Sequence, residues 1–323
     1  MERQTGIAQT IELAADRARY DECAKKLLTY KAVIAWILKS CTKEFSQYSV
    51  KFICDNCLNE DVELSEHAVN QDQMNRDERL DGDKRLDGLN TEANSIKDQT
   101  VYYDIRFKAT LPGKKEPVQL IINLEIQLND TPGYPLVTRG FYYCARMISE
   151  QYGTVFTDEH YEDIQKVYSI WICPDPAKKR RNGIFKYHTV QDTIVGDSDV
   201  KSESYDLMEV VILNLGDADE SSELEILDLL NVLFSTTATP EEKRKRLNDE
   251  FDIAMTAEFE SEVRDMCNLS KALVEQGIEQ KNLSLAKMMI ENNEPIDKIA
   301  KYTGYGIDKV KEIAEQMKTP LSV

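Results

Sequence analysis

Two short segments, Val101–Ala109 and Val118–Gln127, constrain this chain most, because each has strand composition and carries a carboxylate among apolar residues. Between them, Leu111-Pro-Gly-Lys-Lys115 supplies turn chemistry, so an antiparallel hairpin is expected. Strand side chains alternate between faces. Tyr102, Asp104, Arg106 and Lys108 then share one face of the first strand, with Tyr103, Ile105, Phe107 and Ala109 on the other. In the second strand Ile121, Asn123, Glu125 and Gln127 oppose Leu120, Ile122, Leu124 and Ile126. A carboxylate within an apolar strand is costly unless it is paired or holds a metal. If Asp104 and Glu125 lie within ~4 Å, their repulsion is about 4 kcal/mol at an effective dielectric near 20. A divalent cation between them reverses that sign, and oxygen donors of this kind suit Mg²⁺ or Mn²⁺.

Around the hairpin the pattern is α/β. Residues 8–45 read as helical, with Leu27, Leu28, Val33, Ile34, Ile37, Leu38 and Cys41 on one broad face, and a short helix is expected near Val50–Leu58. Residues 59–98 hold few apolar side chains and an imperfect Arg-Leu-Asp-Gly repeat at Arg79 and Arg85, which reads as an irregular connection. After the break at Asp130-Thr-Pro-Gly-Tyr134, a helix is expected over Leu136–Glu150 and a buried strand over Lys166–Cys173. A weaker strand near Phe185–Val190 and an apolar one at Leu207–Leu215 follow. From about Glu223 the periodicity is helical, in segments Leu224–Ser235, Pro240–Phe251, Ala257–Glu275 and Leu283–Glu291 and a final pair. The domain boundary is placed near residue 220, giving a domain over 1–220 and a helical tail over 221–323.

Composition limits the function classes. No apolar run approaches the ~20 residues that span a bilayer, and the first residues lack the apolar stretch of a secretion signal. Seven scattered cysteines point to a reducing compartment, so a cytoplasmic location is expected. A net charge of -18 argues against an indiscriminate basic surface for nucleic acid. The acid is uneven, however, and basic clusters stand at Lys178-Lys179-Arg180-Arg181 and Lys243-Arg244-Lys245-Arg246. The first is a candidate contact to a DNA backbone; the second reads as an ordinary charged helix face. Cys54-Asp-Asn-Cys57 has the spacing of half a zinc site, but no second half follows.

The order Tyr103-Asp104-Ile105, hairpin, Asn123-Leu124-Glu125-Ile126-Gln127 resembles the PD-(D/E)xK nuclease core, and within it the recombination-promoting nuclease and transposase branch. Pro135-Leu-Val-Thr-Arg139-Gly-Phe-Tyr-Tyr143 and the strand opened by Lys166-Val167-Tyr168 are similar to that branch too. The resemblance implies an αβββαβ core with a mixed central sheet that cleaves DNA phosphodiesters with Mg²⁺ or Mn²⁺. It makes Asp104 and Glu125 the metal carboxylates and the Ile126 carbonyl a further ligand. Gln127 takes the place of the superfamily's lysine, as is usual in the narrower branch. Glutamine offers only neutral hydrogen bonds, so more electrostatic work falls to the metal. Arg139 and Tyr143, at i and i+4, share a helix face from which they would meet phosphate. Of the upstream helical carboxylates, Asp21 and Glu22 are noted without assignment.

The competing reading of Asp104 and Glu125 is structural pairing with Arg106 or Arg139. At the C-terminal end, Thr303-Gly-Tyr-Gly306 between two helices has a helix-turn-helix layout. Its second helix offers lysines and acids where base readers usually present Arg, Asn or Gln. It reads first as a packing or homo-oligomer element and second as a DNA reader.

Overall fold

A computed structural model describes residues 18–58, 68–70, 92–94, 101–102, 104–111, 118–127 and 132–318. Helix α1 (residues 18–28) and helix α2 (Lys31–Cys41) replace the single helix expected over 8–45, whose first ten residues lie outside the described ones. The break falls at Thr29, whose N–H and hydroxyl both turn back to the Lys26 carbonyl. Helix α3 (Val50–Asn56) starts at Ser49, whose hydroxyl accepts the Phe52 N–H that a helix start leaves open. Within the segment expected to be irregular, β1 (Ala68–Asn70) and β2 (Glu92–Asn94) pair with each other, and β2 pairs with β3 (Val101–Tyr102). The remainder of that segment, Tyr103, residues 112–117 with the expected turn, and residues 128–131 lie outside the described residues.

The expected first hairpin strand is divided. Strand β4 (Ile105–Leu111) begins after a bend at Asp104, so this carboxylate guards the strand's entrance instead of lying in its middle. Strand β5 (Val118–Ile126) pairs antiparallel with β4, Ile105 facing Leu124, and the register leaves Asp104 opposite Glu125. Helix α4 (Leu136–Ser149) then carries the chain to β6 (Val167–Cys173), as a parallel neighbour requires. Strands β7 (Gly183–His188) and β8 (Met208–Asn214) complete a mixed sheet in the order β4-β5-β6-β8-β7. On the outer edge of β4 pairing shrinks to one bridge, Leu58 to Ala109.

Residues 121–126 and all of β6 are buried, because both faces of the sheet are covered. On one face Tyr143, Cys144 and Met147 of α4 pack against Val167, Trp171, Val210 and Ile212. The approach is close at Gly140, where a Cβ would stand 2.5 Å from Val210 Cγ1. On the other face the buried Tyr168 hydroxyl donates to Glu44, just past α2, at 2.6 Å. Strands β5, β6 and β8 run parallel and end together, and loops beyond such ends are where ligands of α/β sheets bind.

Helices α5 (Glu225–Phe234) and α6 (Pro240–Asp249) follow. Two helices expected over 257–291 are one, α7 (Ala257–Glu291). Its middle is polar with one glycine, and Gly277 in a helix interior costs only ~1 kcal/mol. Helices α8 (Ile296–Thr303) and α9 (Ile307–Lys318) end the described chain. By compactness the chain divides into residues 21–266 and a second unit containing 267–323 with 1–20. The line thus falls later than the change of periodicity near 220. Helix α5 stays with the sheet, since Asn231 accepts the Gly216 N–H and donates to Asn182. In the second unit Tyr305, Val310 and Ile313 pack with Ala286, Met289 and Ile299, and Lys309 pairs with Glu279 at 2.7 Å. That arrangement matches a packing role for the α8–α9 pair.

Candidate active site

Asp104 and Glu125 are held together by the backbone that carries them. The Asp104 N–H donates to Glu125 Oε1 at 3.0 Å, and the Ile126 N–H donates to Asp104 Oδ2 at 3.1 Å. The bend at Asp104 permits this exchange, which a regular ladder position would use for strand pairing. In an extended strand a residue's N–H and C=O lean toward the same neighbour, so the Ile126 carbonyl faces the Asp104 side as well. The Gln127 N–H turns the other way, to the Ile172 carbonyl at 2.8 Å. Gln127 itself is half-buried, two residues beyond Glu125 and of the same parity.

The electrostatics of the pair are unbalanced. Glu125 is 4% exposed, and burial, then the Asp104 charge, raises its carboxyl well above the usual glutamate range. Asp104 is raised too, by burial first, although Lys25 opposes the shift. Lys25 Nζ lies 2.8 Å from Asp104 Oδ1 and 2.6 Å from Asp21 Oδ2, both on the α1 side of the site. Burial pulls the Lys25 ammonium down, but the Asp104 and Asp21 carboxylates outweigh it and hold it above the ordinary lysine range. Among the described residues no cation is ion-paired to Glu125. Arg106, its alternative partner at the sequence level, is buried against Glu150 at the end of α4.

Arg139 stands nearby on a tyrosine clamp. Its Nε donates to the Tyr143 hydroxyl at 2.9 Å, and a terminal nitrogen donates to the Tyr134 hydroxyl at 2.6 Å. Its guanidinium also lies 5.2 Å from the Trp171 ring centre. Burial disfavours the Arg139 charge, while Tyr143 and the field of Glu125 favour it, with a net upward shift. The Tyr143 hydroxyl is pushed up to about 12 by burial and then by Glu125. Arg139 is therefore a fixed, permanent cation beside the carboxylates, and its guanidinium fork has the geometry to grip a phosphate.

A family model described as PD-(D/E)XK nuclease family transposase matches residues 86–298, well over half of the 323. The chain belongs to that family. No curated protein and no solved structure matches it. Membership agrees with the mixed five-stranded sheet and the helical C-terminal region, and PD-(D/E)XK nucleases generally use divalent metals. The residues fit such an ion in kind: two carboxylates and a backbone carbonyl are a hard oxygen set, to which Mg²⁺ ordinarily adds waters and substrate phosphate. Among the described residues no group of three or more His, Cys, Asp or Glu side chains converges as a metal cluster, so the set has two carboxylates and no third. No helix of the described residues is long and apolar enough to cross a membrane.

The basic residues divide. Lys178 and Lys179 are exposed on a short 3-10 turn, while Arg180 at its end lines a cleft with Tyr134. Arg181 instead pairs with Asp217 at 2.9 Å and Asp175 at 3.5 Å, so the structure separates it from the other three. In the second cluster Lys243 is buried and donates to the Leu233 carbonyl at the end of α5. Lys25 was missed at the sequence level. Its signal is faint: a lysine four residues after Asp21, between Ala24 and Leu28 on the buried side of α1.

Proposed function

We propose that this chain is a divalent-metal-dependent DNA endonuclease that hydrolyses phosphodiester bonds in DNA recombination or transposition, in a cytoplasmic setting. The observation that carries the reading is the pair Asp104–Glu125: two carboxylates on facing backbone positions, one of them buried with no ion-paired cation among the described residues. Asp104, Glu125 and the Ile126 carbonyl would hold Mg²⁺ or Mn²⁺. Such an ion supplies charge neutralisation at the phosphate and lowers the pKa of a bound water. Lys25 opposes the effect of burial on Asp104 and orients its carboxylate. Arg139, preset by Tyr134 and Tyr143, binds a phosphate oxygen and neutralises charge that develops on it. Gln127 contributes a neutral amide that positions water or phosphate without adding charge.

The test is cleavage of supercoiled DNA with Mg²⁺ or Mn²⁺. Asp104→Ala and Glu125→Ala each lower the rate by about 100-fold or more, while circular dichroism shows the fold retained. Unchanged rates in both variants sink the proposal. A second reading, a nuclease-fold module that binds DNA or protein without cutting, is favoured by Lys25, which already satisfies Asp104, together with Gln127 in place of lysine. It predicts binding with no metal-dependent product from the wild-type chain.

A further inference from the structure

A cleft of about 500 Å³ lies between the start of α4 and the edge strand β7. That volume is within the range of pockets that take nucleotide-sized ligands. Its walls carry the rings of Tyr134, Phe185 and Tyr187, all substantially exposed, and the Arg180 side chain. Phe185 and Tyr187 stand two apart on β7, so their rings share one face of that edge strand. The ring of Phe185 is also accommodated by the backbone: a Cβ on Gly183 would come within 3.1 Å of it, so glycine lets the ring lie over the strand. Asn214, at the end of β8, lines the same cleft. It is 2% exposed, yet its Nδ2 has no hydrogen-bond partner among the described residues. A buried amide donor is rarely left unpaired, and its presence in a cleft wall points to a ligand acceptor. Among the described residues no carboxylate lines the cleft, although the chain carries a net charge of -18.

We infer that this cleft binds an unpaired base of single-stranded DNA, stacked on Phe185 and Tyr187, with Asn214 donating to the base edge and Arg180 meeting the adjoining phosphate. Aromatic faces beside a guanidinium are the chemistry by which proteins hold single strands, since every base has a π-face to stack and every linkage a charge. Duplex DNA keeps its bases inside the stack and cannot use these rings. Tyr134 links the cleft to the candidate site: it lines the cleft, and its hydroxyl accepts from Arg139. The inference rests on the endonuclease reading and narrows its substrate to DNA with an unpaired segment, such as a flap, bubble or single strand.

The experiment measures binding by fluorescence anisotropy, with labelled oligothymidine and a labelled duplex of equal length, in EDTA so that nothing is cut. Wild type, Phe185→Ala, Tyr187→Ala, the double variant and Asn214→Leu are compared. Each lost ring weakens oligothymidine binding about tenfold, while duplex binding stays within about twofold. Equal losses on both DNAs, or an unchanged oligothymidine affinity in the double variant, overturn the inference, as does wild-type protein that does not bind oligothymidine. Phe185→Tyr, which keeps a stacking face, separates stacking from folding by restoring the affinity; failure to restore it counts against stacking. Cleavage is scored separately. Ring-dependent binding by a chain that cuts no DNA with any metal removes the endonuclease reading and leaves the cleft. Undiminished cutting of a flap by the double variant removes the cleft and leaves the endonuclease.

Discussion

Glu125 and Glu209 are buried to nearly the same degree, 4% and 5% exposed, in one sheet with β6 between their strands. Their company differs. Glu209 meets Lys186 at 3.0 Å and Lys166 at 3.3 Å, and Lys166 is shared with Asp206 at 2.9 Å and Glu44 at 3.6 Å. Burial depresses the Lys166 ammonium, yet its bond to Asp206 and the surrounding acids hold it above the usual range. Glu125, by contrast, lies in the field of a second carboxylate, Asp104, and the cations that act on it, Arg139 and Lys25, are bonded to tyrosine hydroxyls and to Asp104. A buried acid with two ammonium partners is complete in itself. One that faces another acid has use for a cation from outside. Burial alone does not separate a structural ion network from a site; the balance of charge does.

The largest effect that sharpens this contrast is expected at the self-contained cluster. Glu209→Gln takes from Lys186 and Lys166 the buried carboxylate that they share, leaving Lys166 to Asp206 and Glu44, and destabilises the fold by about 3 kcal/mol, seen as a fall in denaturation midpoint in urea. Glu125→Gln goes the opposite way in metal-free protein near pH 8. It keeps an acceptor for the Asp104 N–H, removes the repulsion, and stabilises by about 1–2 kcal/mol. Equal destabilisation in both variants would erase the distinction drawn between the two acids. Arg139→Lys keeps the charge but loses the fork that Tyr134 and Tyr143 hold, so cleavage slows about fivefold with little change in stability. A wild-type rate in that variant shows that the clamp is packing alone.

The smallest effect is in pH. Because Glu125 and Asp104 are both raised, the folded chain binds more protons than the unfolded chain from the ordinary carboxylate range up to the raised values. The stability that this protonation contributes is present at low pH and lost as pH rises through that window. Thermal melts of metal-free protein should therefore shift downward as pH rises, and less so in Glu125→Gln. Identical slopes for the two proteins would remove Glu125 as the cause.

Much of this was legible in the chain itself. Period-two alternation put Asp104 and Glu125 in two strands expected to pair, and β4 and β5 do pair; the apolar runs expected as strands at Lys166–Cys173 and Leu207–Leu215 are β6 and β8. Those signals are local. The bend at Asp104, the ion pair to Lys25 and the partners of Glu209 depend on which distant elements meet, and periodicity is blind to that. The same limit hid the pairing of Arg181 with Asp217 and the burial of Lys243, whose charges read as solvated loop and helix face. The continuity of α7 through Gly277 escaped because a polar stretch breaks an apolar stripe without breaking a helix.

The central claim is that the Asp104–Glu125 pair takes up a divalent cation, and calorimetric titration of Mn²⁺ into metal-free protein, in two buffers of different ionisation enthalpy, tests it most directly. The account predicts one ion bound per chain with release of protons, lost in Glu125→Gln and retained in Glu209→Gln. Binding of equal strength and proton count in wild type and Glu125→Gln, or no binding by the wild type, would contradict it.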